Sequence, residues 1–279
     1  MNTLFYKPAE RLGVGINYRN EIGRDILKHI RNIDCIEIYT EKFFIQDHDI
    51  TFEKIVKQLP ILLHGLDLSI GSSNEIDPKY LKNLSSVLER IEHHWFSEHI
   101  SLTKEGEVEV GHLMPVQFSQ EIADRIINKA IQIQSLSKKP FLLENITYYY
   151  ALPGSTMGEP KFINYILEQA DCGLLLDVNN LYINSVNHKY DPHKFLDQID
   201  LDRVVEIHMA GGTYKYNMLI DTHAHSISPQ VWALCEEVVK RTPLNCLIIE
   251  RDGNLPDFSE LVNELDMARS IMQKYGRCN

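Results

Sequence analysis

Short apolar segments alternate with amphipathic segments along the chain, and the alternation repeats eight times. Each apolar segment is a few residues long, which is the length of a strand buried on both faces. The eight predicted strands are Leu12–Asn17, Asp34–Ile38, Ile61–His64, Trp95–Ile100, Phe141–Asn145, Gly173–Asp177, Val204–His208 and Cys246–Glu250. Buried strands that are each separated by a helix predict a parallel sheet covered by helices.

The amphipathic segments have apolar residues at helical spacing. Between residues 119 and 137, for example, Ile122, Ile126, Ile127 and Ala130 fall on one helical face. Four of the segments have a proline near their start, where the missing N–H costs no hydrogen bond. The predicted helices are Glu21–Arg31, Pro78–His93, Ser119–Ser137, Pro160–Gln169, Pro192–Gln198, Pro229–Arg241 and Phe258–Tyr275.

Eight strand–helix units predict a closed α/β barrel of the (β/α)8 TIM type. The alternative is an open doubly wound sheet, which would need a glycine-rich phosphate loop after its first strand. Gly13-Val14-Gly15 is only a fragment of that fingerprint and falls inside the first predicted strand. Because no linker, charged block or low-complexity segment interrupts the chain, we predict a single barrel domain over residues 1–279.

Composition and charge narrow the function classes. The chain has 279 residues, 44% of them apolar, which is ample for one large core, and a net charge of −11. An acidic surface argues against nucleic acid as a partner. Residues 1–11 lack the pattern of a secretion signal, and no apolar run approaches the ~20 residues of a membrane span. We therefore predict a cytoplasmic protein with no membrane partner.

The five cysteines are scattered and form no CxxC pair. The sequence therefore suggests neither a thiolate zinc site nor a disulfide framework. Cys35, Cys172 and Cys246 lie in or beside apolar runs, and we expect them to be small buried side chains.

Six consecutive predicted strands end in a side chain that can bind a metal ion. In a barrel, the C-terminal strand ends meet at one mouth. A single histidine or aspartate there is more often a structural residue or a helix cap. Burying three carboxylates together without cations, however, would cost several kcal/mol each. We therefore predict a metal centre at the mouth with the ligands His64, His99, Glu144, Asp177, His208 and Glu250.

Three further residues can complete a third metal position. Asn180 follows Asp177 by three residues and is predicted to reach the mouth from a loop. Asp221 and His223 are two residues apart, so they would face the same way in an extended segment. Spacing alone does not separate His223 from His225.

The donor types restrict the metal. Imidazoles mixed with carboxylates and an amide, without thiolate, favour Fe, Mn or Zn. A bridging carboxylate such as Glu144 would hold two ions about 3.5–4 Å apart. Spacing does not decide between hydrolysis and oxidation.

Seven segments around these positions are distinctive as a set. They are Leu63–Ser72, Ser97–Ser101, Leu143–Asn145, Leu175–Tyr182 (LLDVNNLY), Glu206–Gly211, Ile220–His223 (IDTH) and Ile249–Pro256. In this order and spacing, the chain closely resembles the multinuclear non-heme iron-dependent oxidative enzymes. The best-known member, MbnB, makes the oxazolone and thioamide groups of methanobactin. The resemblance extends from about Gly13 to about Ile271.

The resemblance implies a xylose-isomerase-like TIM barrel, related in metal layout to zinc-dependent abasic-site endonucleases. It also implies three iron positions. The first would be held by His64, His99 and Glu144; the second by Glu144, Asp177, His208 and Glu250; the third by Asn180, Asp221 and His223. The endonucleases have a histidine where this chain has Asn180, so a weaker amide ligand and a more labile third ion are implied.

The resemblance further implies an oxygenase or oxidase that uses mixed-valent iron and O₂. Its substrate would be a cysteine, or another residue, of a ribosomally made precursor peptide, and a small leader-binding protein would be its partner. The alternative is a zinc- or manganese-dependent hydrolase or isomerase on the same barrel. For Glu37 and Glu41 we predict helix capping, and for Tyr148–Tyr150 loop packing, rather than direct chemistry.

Overall fold

A computed structural model describes Pro8 and residues 10–45 and 50–278, and all structural statements refer to these. Much of the segment 1–11, where no secretion signal is predicted, lies outside them. Eight parallel strands form a closed barrel, with each strand paired to its neighbours in the chain and β1 paired to β8. The strands are β1 (Gly13–Asn17), β2 (Cys35–Tyr39), β3 (Ile61–Gly65), β4 (Phe96–His99), β5 (Phe141–Glu144), β6 (Gly173–Asp177), β7 (Val204–Met209) and β8 (Cys246–Ile249). The predicted TIM barrel and its eight strands are confirmed.

Helices surround the barrel. The described residues contain α1 (Gly23–Lys28), α2 (Ile50–Val56), α3 (Pro78–Arg90), α4 (Gln120–Gln134), α5 (Glu159–Ala170), α6 (Val178–His188), α7 (Pro192–Leu196), α8 (Pro229–Arg241) and α9 (Phe258–Lys274). Short 3-10 helices span Asn20–Ile22, Ile30–Asn32, Thr40–Phe44 and Leu201–Arg203. The predicted helix over 21–31 is therefore broken into three pieces, while the other six predictions agree to within a few residues.

Helix α6 was not predicted, and it corrects the placement of Asn180. The helix begins directly after β6, with the Asp177 carboxylate as its N-cap accepting a hydrogen bond from the Asn180 N–H. Asn180 therefore lies in the first helical turn and not in a loop. The pattern was missed because valine and two asparagines at a helix start have low helix propensity.

Two antiparallel hairpins, also unpredicted, follow β4 and β7. The first hairpin pairs Leu102–Glu105 with Val108–Met114, and the second pairs Thr213–Lys215 with Met218–Ile220. Gly106 in the first turn has a positive φ of 59°, which favours glycine. Both hairpins leave the C-terminal ends of barrel strands, so they belong to the loops around the mouth.

Inward side chains fill the barrel in layers because strand residues alternate between its two faces. A cluster of fully buried apolar residues occupies the inside: Leu12, Cys35, Leu62, Trp95, Leu142, Leu175, Val205, Cys246 and Ile248. Two residues beyond Leu62, Leu142 and Leu175 in their strands stand His64, Glu144 and Asp177. The polar layer therefore lies directly above the apolar one, towards the mouth.

The described cysteines are all free, and Cys35, Cys172 and Cys246 are buried as expected. Within the described ranges, we find no helix that combines the length and the apolar character needed to span a membrane.

Candidate metal centre

The predicted strand-end residues converge at the mouth. Their side chains form three overlapping groups, and within each group the potential ligand atoms lie within 4.8 Å of one another. The groups are His64, His99 and Glu144; Glu144, Asp177 and His208; and Asp177, His223 and Glu250. Glu144 links the first group to the second, and Asp177 links the second to the third.

The first group has two histidines that present the same ring nitrogen. His64 Nε2 and His99 Nε2 lie 3.3 and 3.1 Å from Glu144 Oε2, and 3.3 Å from each other. On the opposite side of each ring, His64 Nδ1 lies 2.8 Å from the Ser97 hydroxyl, and His99 Nδ1 lies 3.0 Å from the Gly65 carbonyl. Hydrogen bonds at Nδ1 leave the Nε2 lone pairs directed at the centre.

The second group uses the other nitrogen of its histidine. His208 Nδ1 lies 3.1 Å from Glu250 Oε2 and 3.5 Å from Glu144 Oε1. His208 Nε2 points away from the centre and lies 3.0 Å from Glu37 Oε2. Glu37 is a buried residue of β2, so the prediction that it caps a helix is wrong.

The third group includes one residue that does not lie at a strand end. His223 Nδ1 lies 3.1 Å from Glu250 Oε2, while its Nε2 lies 3.0 Å from Asp221 Oδ1 and 3.8 Å from Asp177 Oδ2. His223 has a φ of 45°, so the Asp221–His223 segment is not extended as predicted. His225 is exposed, and its ring pairs with the Thr222 hydroxyl. The structure therefore brings His223, and not His225, to the centre.

Asn180 lies beside this group, with its side chain already bonded. Its amide oxygen accepts a hydrogen bond from the Thr147 hydroxyl at 2.5 Å, and its amide nitrogen donates to the Asn145 carbonyl at 3.2 Å. The neighbouring Asn179 donates to Asp221 at 3.1 Å. These bonds hold both asparagines at the edge of the third group.

Four buried ligand atoms of these groups make ion-pair contacts but no hydrogen bond with the described residues. They are Glu144 Oε2, Asp177 Oδ2, His208 Nδ1 and His223 Nε2. Each belongs to the groups above. A buried polar atom without a partner costs about 1–3 kcal/mol. Imidazole and carboxylate donors left unsatisfied in one place suit divalent transition metals, so the residues present fit a metal centre.

In the first group, His64 and Glu144 are in different charge states. Burial and the neighbouring His99 lower the pKa of His64 to about 3, so its imidazole is neutral. Burial alone would raise the pKa of Glu144, but His99 and His208 outweigh it and lower the pKa to about 2. A neutral imidazole and an ionised carboxylate are the protonation states that bind metal ions.

The other three histidines retain protons when no ion is bound. Burial opposes the charged form, but Glu144 and Glu98 raise the pKa of His99 to about 9. Nearby carboxylates likewise outweigh burial and raise the pKa of His208 and of His223 well above the usual value. A metal ion would have to displace these protons, because only the neutral ring is a ligand.

Three buried acids near the centre were missed as site residues. Glu37 and Glu206 lie inside the barrel beside His208, and Glu98 Oε1 accepts a hydrogen bond from the His99 N–H at 3.0 Å. In the sequence, the feature that could have identified all three as site residues is an acidic residue within a predicted buried strand. Glu41 accepts hydrogen bonds from the N–H groups of Leu66 and Asp67, so it orders the loop after β3 and does not cap a helix.

A groove of about 360 Å³ opens beside the third group. It is lined by the end of the first hairpin (112–115), the segment 146–150, Asn180 and Asp221. Tyr148 packs against Phe118 and His188, as loop packing predicts, and all three tyrosines line the groove. The groove therefore connects solvent with the centre.

A closed parallel barrel with imidazoles and carboxylates at its mouth defines a xylose-isomerase-like TIM-barrel protein. Among solved structures, the chain resembles a D-tagatose 3-epimerase-like protein (TM-score 0.63, 14% identity, covering 95% of this chain and 98% of that one). It also resembles endonuclease IV from Thermus thermophilus (TM-score 0.60, 15% identity, 94% and 99% covered). At such low identity these likenesses concern the fold alone.

Sequence comparison is more specific. Residues 13–273 match the family described as the RiPP precursor modification enzyme MbnB/TglH/ChrH, and the chain belongs to this family. A UPF0276 protein of Shewanella sediminis is 34% identical over 262 residues, covering 92% of this chain and 94% of that protein. A UPF0276 protein of Haemophilus influenzae is 34% identical over 294 residues, with 94% and 95% covered. The family resemblance predicted from the sequence motifs is confirmed.

Proposed function

We propose that this protein is a di- or tri-iron oxidoreductase that uses O₂ to modify a cysteine, or another residue, of a ribosomally made precursor peptide. The observation that supports it best is the set of four buried ligand atoms without partners at the mouth. Membership of a family that modifies precursor peptides supports the substrate class.

The proposed ligands follow the three groups. His64, His99 and Glu144 would hold the first ion, and Glu144 would also serve a second ion together with Asp177, His208 and Glu250. His223 and Asp221 hold the third ion, with Asn180 beside them. The distances from His223 to Glu250 and Asp177 add these carboxylates as shared ligands of the third position.

Bound iron would pass electrons from the substrate to O₂ and would offer coordination positions for O₂ and a substrate sulfur. The protein fixes the positions of the ligands and excludes water from them, because the side chains of His64, Glu144 and His208 are at most 2% exposed. The three mouth groups contain no cysteine of the described chain. The soft ligand that iron accepts is therefore left for the substrate to provide.

The groove supplies the route for the peptide. Asn180 and Asp221 are part of its lining and Asp221 lies 3.0 Å from His223, so a peptide lying in the groove would be beside the third group. Tyr149 and Tyr150 offer flat, partly apolar surfaces on which an extended peptide can pack. A cytoplasmic location and a small leader-binding partner complete the proposal.

The first test is metal analysis of protein expressed with ample iron and purified without oxygen. We expect about two or three iron atoms per chain, with antiferromagnetically coupled iron in Mössbauer spectra. The His225→Ala variant is the matched control, because this exposed histidine lies outside the three groups and should leave the iron content unchanged. Zinc alone, at full occupancy, would contradict the proposal.

The second test is activity on a cysteine-containing peptide encoded by a short reading frame next to the gene. We expect O₂ uptake and a change in peptide mass that both depend on bound iron. No O₂ uptake, together with cleavage of abasic-site DNA or aldose–ketose exchange by the zinc or manganese form, would instead establish the hydrolase or isomerase alternative.

A further inference from the structure

We propose that Glu37 is a positioning residue that holds the His208 ring so that Nδ1, and not Nε2, faces the metal centre. Glu37 Oε2 lies 3.0 Å from His208 Nε2, and both residues are at most 1% exposed. Once a metal ion takes Nδ1, the neutral His208 ring keeps its one proton on Nε2, where the Glu37 carboxylate accepts it in a hydrogen bond. The inference rests on the proposed metal centre but not on iron or on peptide oxidation.

His208 differs from the first-group histidines in this respect. His64 and His99 turn Nε2 towards Glu144, and their nearest partners at Nδ1 are the neutral Ser97 hydroxyl and Gly65 carbonyl, with the Glu98 carboxylate 3.5 Å from His99 Nδ1. His208 turns Nδ1 inward, with its Nε2 against an anion. A carboxylate behind a metal-bound imidazole fixes its tautomer and makes it a more basic ligand.

Among the described residues, Glu37 provides the carboxylate that lies within hydrogen-bond distance of His208 Nε2. Below it lies the apolar layer inside the barrel, with Cys35 and Trp95 fully buried. The nearby Glu206 Oε2 accepts a hydrogen bond from Trp95 Nε1 at 2.7 Å, and its Oε1 remains 3.9 Å from His208 Nε2. Without Glu37, therefore, the His208 N–H would lose its acceptor in a dry site, and the ring would be free to turn.

The same three residues admit a competing interpretation. The potential ligand atoms of Glu37, Glu206 and His208 lie within 4.8 Å of one another, as in the mouth groups. A cation between them would occupy His208 Nε2. Glu37 Oε1 and Glu206 Oε1 also have no hydrogen-bond partner among the described residues, as ligands of a cation would. We favour the positioning role because the 3.0 Å contact has the length of a direct hydrogen bond and occupies His208 Nε2, which leaves Nδ1 for the metal centre.

The test uses zinc as the probe. Zinc is diamagnetic, and because it has no redox chemistry its binding can be measured without the oxidation reaction. Ring ¹⁵N spectra of the zinc-loaded chain should show His208 bound through Nδ1 with a proton on Nε2. Glu37→Gln keeps a neutral acceptor, so we expect the same tautomer but about tenfold faster zinc release to a chelator. Glu37→Leu removes the acceptor, and we expect about 100-fold faster release and loss of the His208 signature.

Glu206→Gln is the matched control, because a glutamine there can still accept from Trp95 and the His208 tautomer should not change. Zinc release from Glu37→Gln at the unaltered rate would overturn the proposal, even if Glu37→Leu does not fold. If Glu37→Gln and Glu206→Gln each lose one zinc equivalent, the three residues form a cation site instead. Failure of iron loading or of peptide oxidation would leave these zinc measurements unaffected, so the two failures are distinguishable.

Discussion

The two sides of the barrel mouth differ in how they are built. The closed side is formed by His64, His99 and Glu144 at the ends of β3, β4 and β5. The side chains of His64 and Glu144 are 2% exposed. On the open side, Asp221 and His223 come from a segment without regular structure, and their side chains are 23% and 12% exposed. Hydrogen bonds with the Ser97 hydroxyl and the Gly65 carbonyl orient His64 and His99 on the closed side. On the open side, Asp221 accepts a hydrogen bond from Asn179 and donates one from its N–H to the Tyr149 hydroxyl.

This difference suggests a division of labour. Side chains on strands keep a fixed geometry, so the closed side is suited to retaining ions. The open side borders the groove at Asp221. The third metal position on this side depends on the left-handed backbone that places the His223 ring. We therefore expect ions to exchange, and substrate to bind, on the open side.

The largest effect should follow Glu144→Gln, because Glu144 belongs to both the first and the second group. An amide cannot bridge two ions as a carboxylate does. We expect loss of at least one metal equivalent and more than about 100-fold loss of activity, since removing even an outer partner of a ligand costs 10–100-fold. Elemental analysis and turnover measure the two effects, and circular dichroism checks the fold. Full metal content in this variant would contradict the bridging role.

The next effect should follow His223→Ala, which alters only the open side. We expect this variant to lose the third ion while the closed side keeps its ions. Activity should fall by about 10–100-fold, because the remaining ions are intact. Elemental analysis of His223→Ala beside His225→Ala provides the comparison. Loss of all ions from His223→Ala would show that the two sides are not independent.

A smaller effect should follow Tyr150→Ala. Tyr150 is half exposed on the groove wall, and the structure assigns it no role at the metal groups. We expect the KM for a peptide substrate to rise about tenfold, the equivalent of about 1.4 kcal/mol, with unchanged kcat and metal content. Tyr214→Ala, which removes an exposed tyrosine of the second hairpin, is the control. Equal KM values for both variants would remove the groove from substrate binding.

Predictability from sequence follows the same division. The barrel and the closed side could be predicted because strand period and strand ends place His64, His99 and Glu144 by counting alone. The open side depends on a helix starting at Val178 and on a positive φ at His223, neither of which has a periodic sequence pattern. Spacing therefore pointed to this segment without separating His223 from His225, and it predicted the wrong backbone.

The supporting acids were missed for another reason. Glu37 and Glu206 come from different strands, β2 and β7, and their meeting at His208 depends on barrel closure and register. A sequence shows that each is a charge within an apolar strand, but not which charge it will face. Both lie inside the barrel in the structure, and only the structure shows that Glu37 contacts a histidine.

The smallest effect concerns a buried acid that, unlike Glu144, has no cationic neighbour. Glu159 is 8% exposed, and burial raises its pKa to about 8, even though it accepts a hydrogen bond from the Tyr148 hydroxyl. The folded chain thus retains a proton that the unfolded chain releases above pH 4.5, so stability falls as pH rises from 4.5 towards 8. Glu159→Gln should remove this loss and raise the free energy of unfolding by about 2–4 kcal/mol at pH 9, with little gain at pH 5. Urea unfolding of both proteins at the two pH values measures the difference. An equal gain in the free energy of unfolding at pH 5 and pH 9 would mean that ionisation of Glu159 is not the cause. The explanation that neighbouring histidines lower the pKa of Glu144, while burial alone raises that of Glu159, would then lose its support.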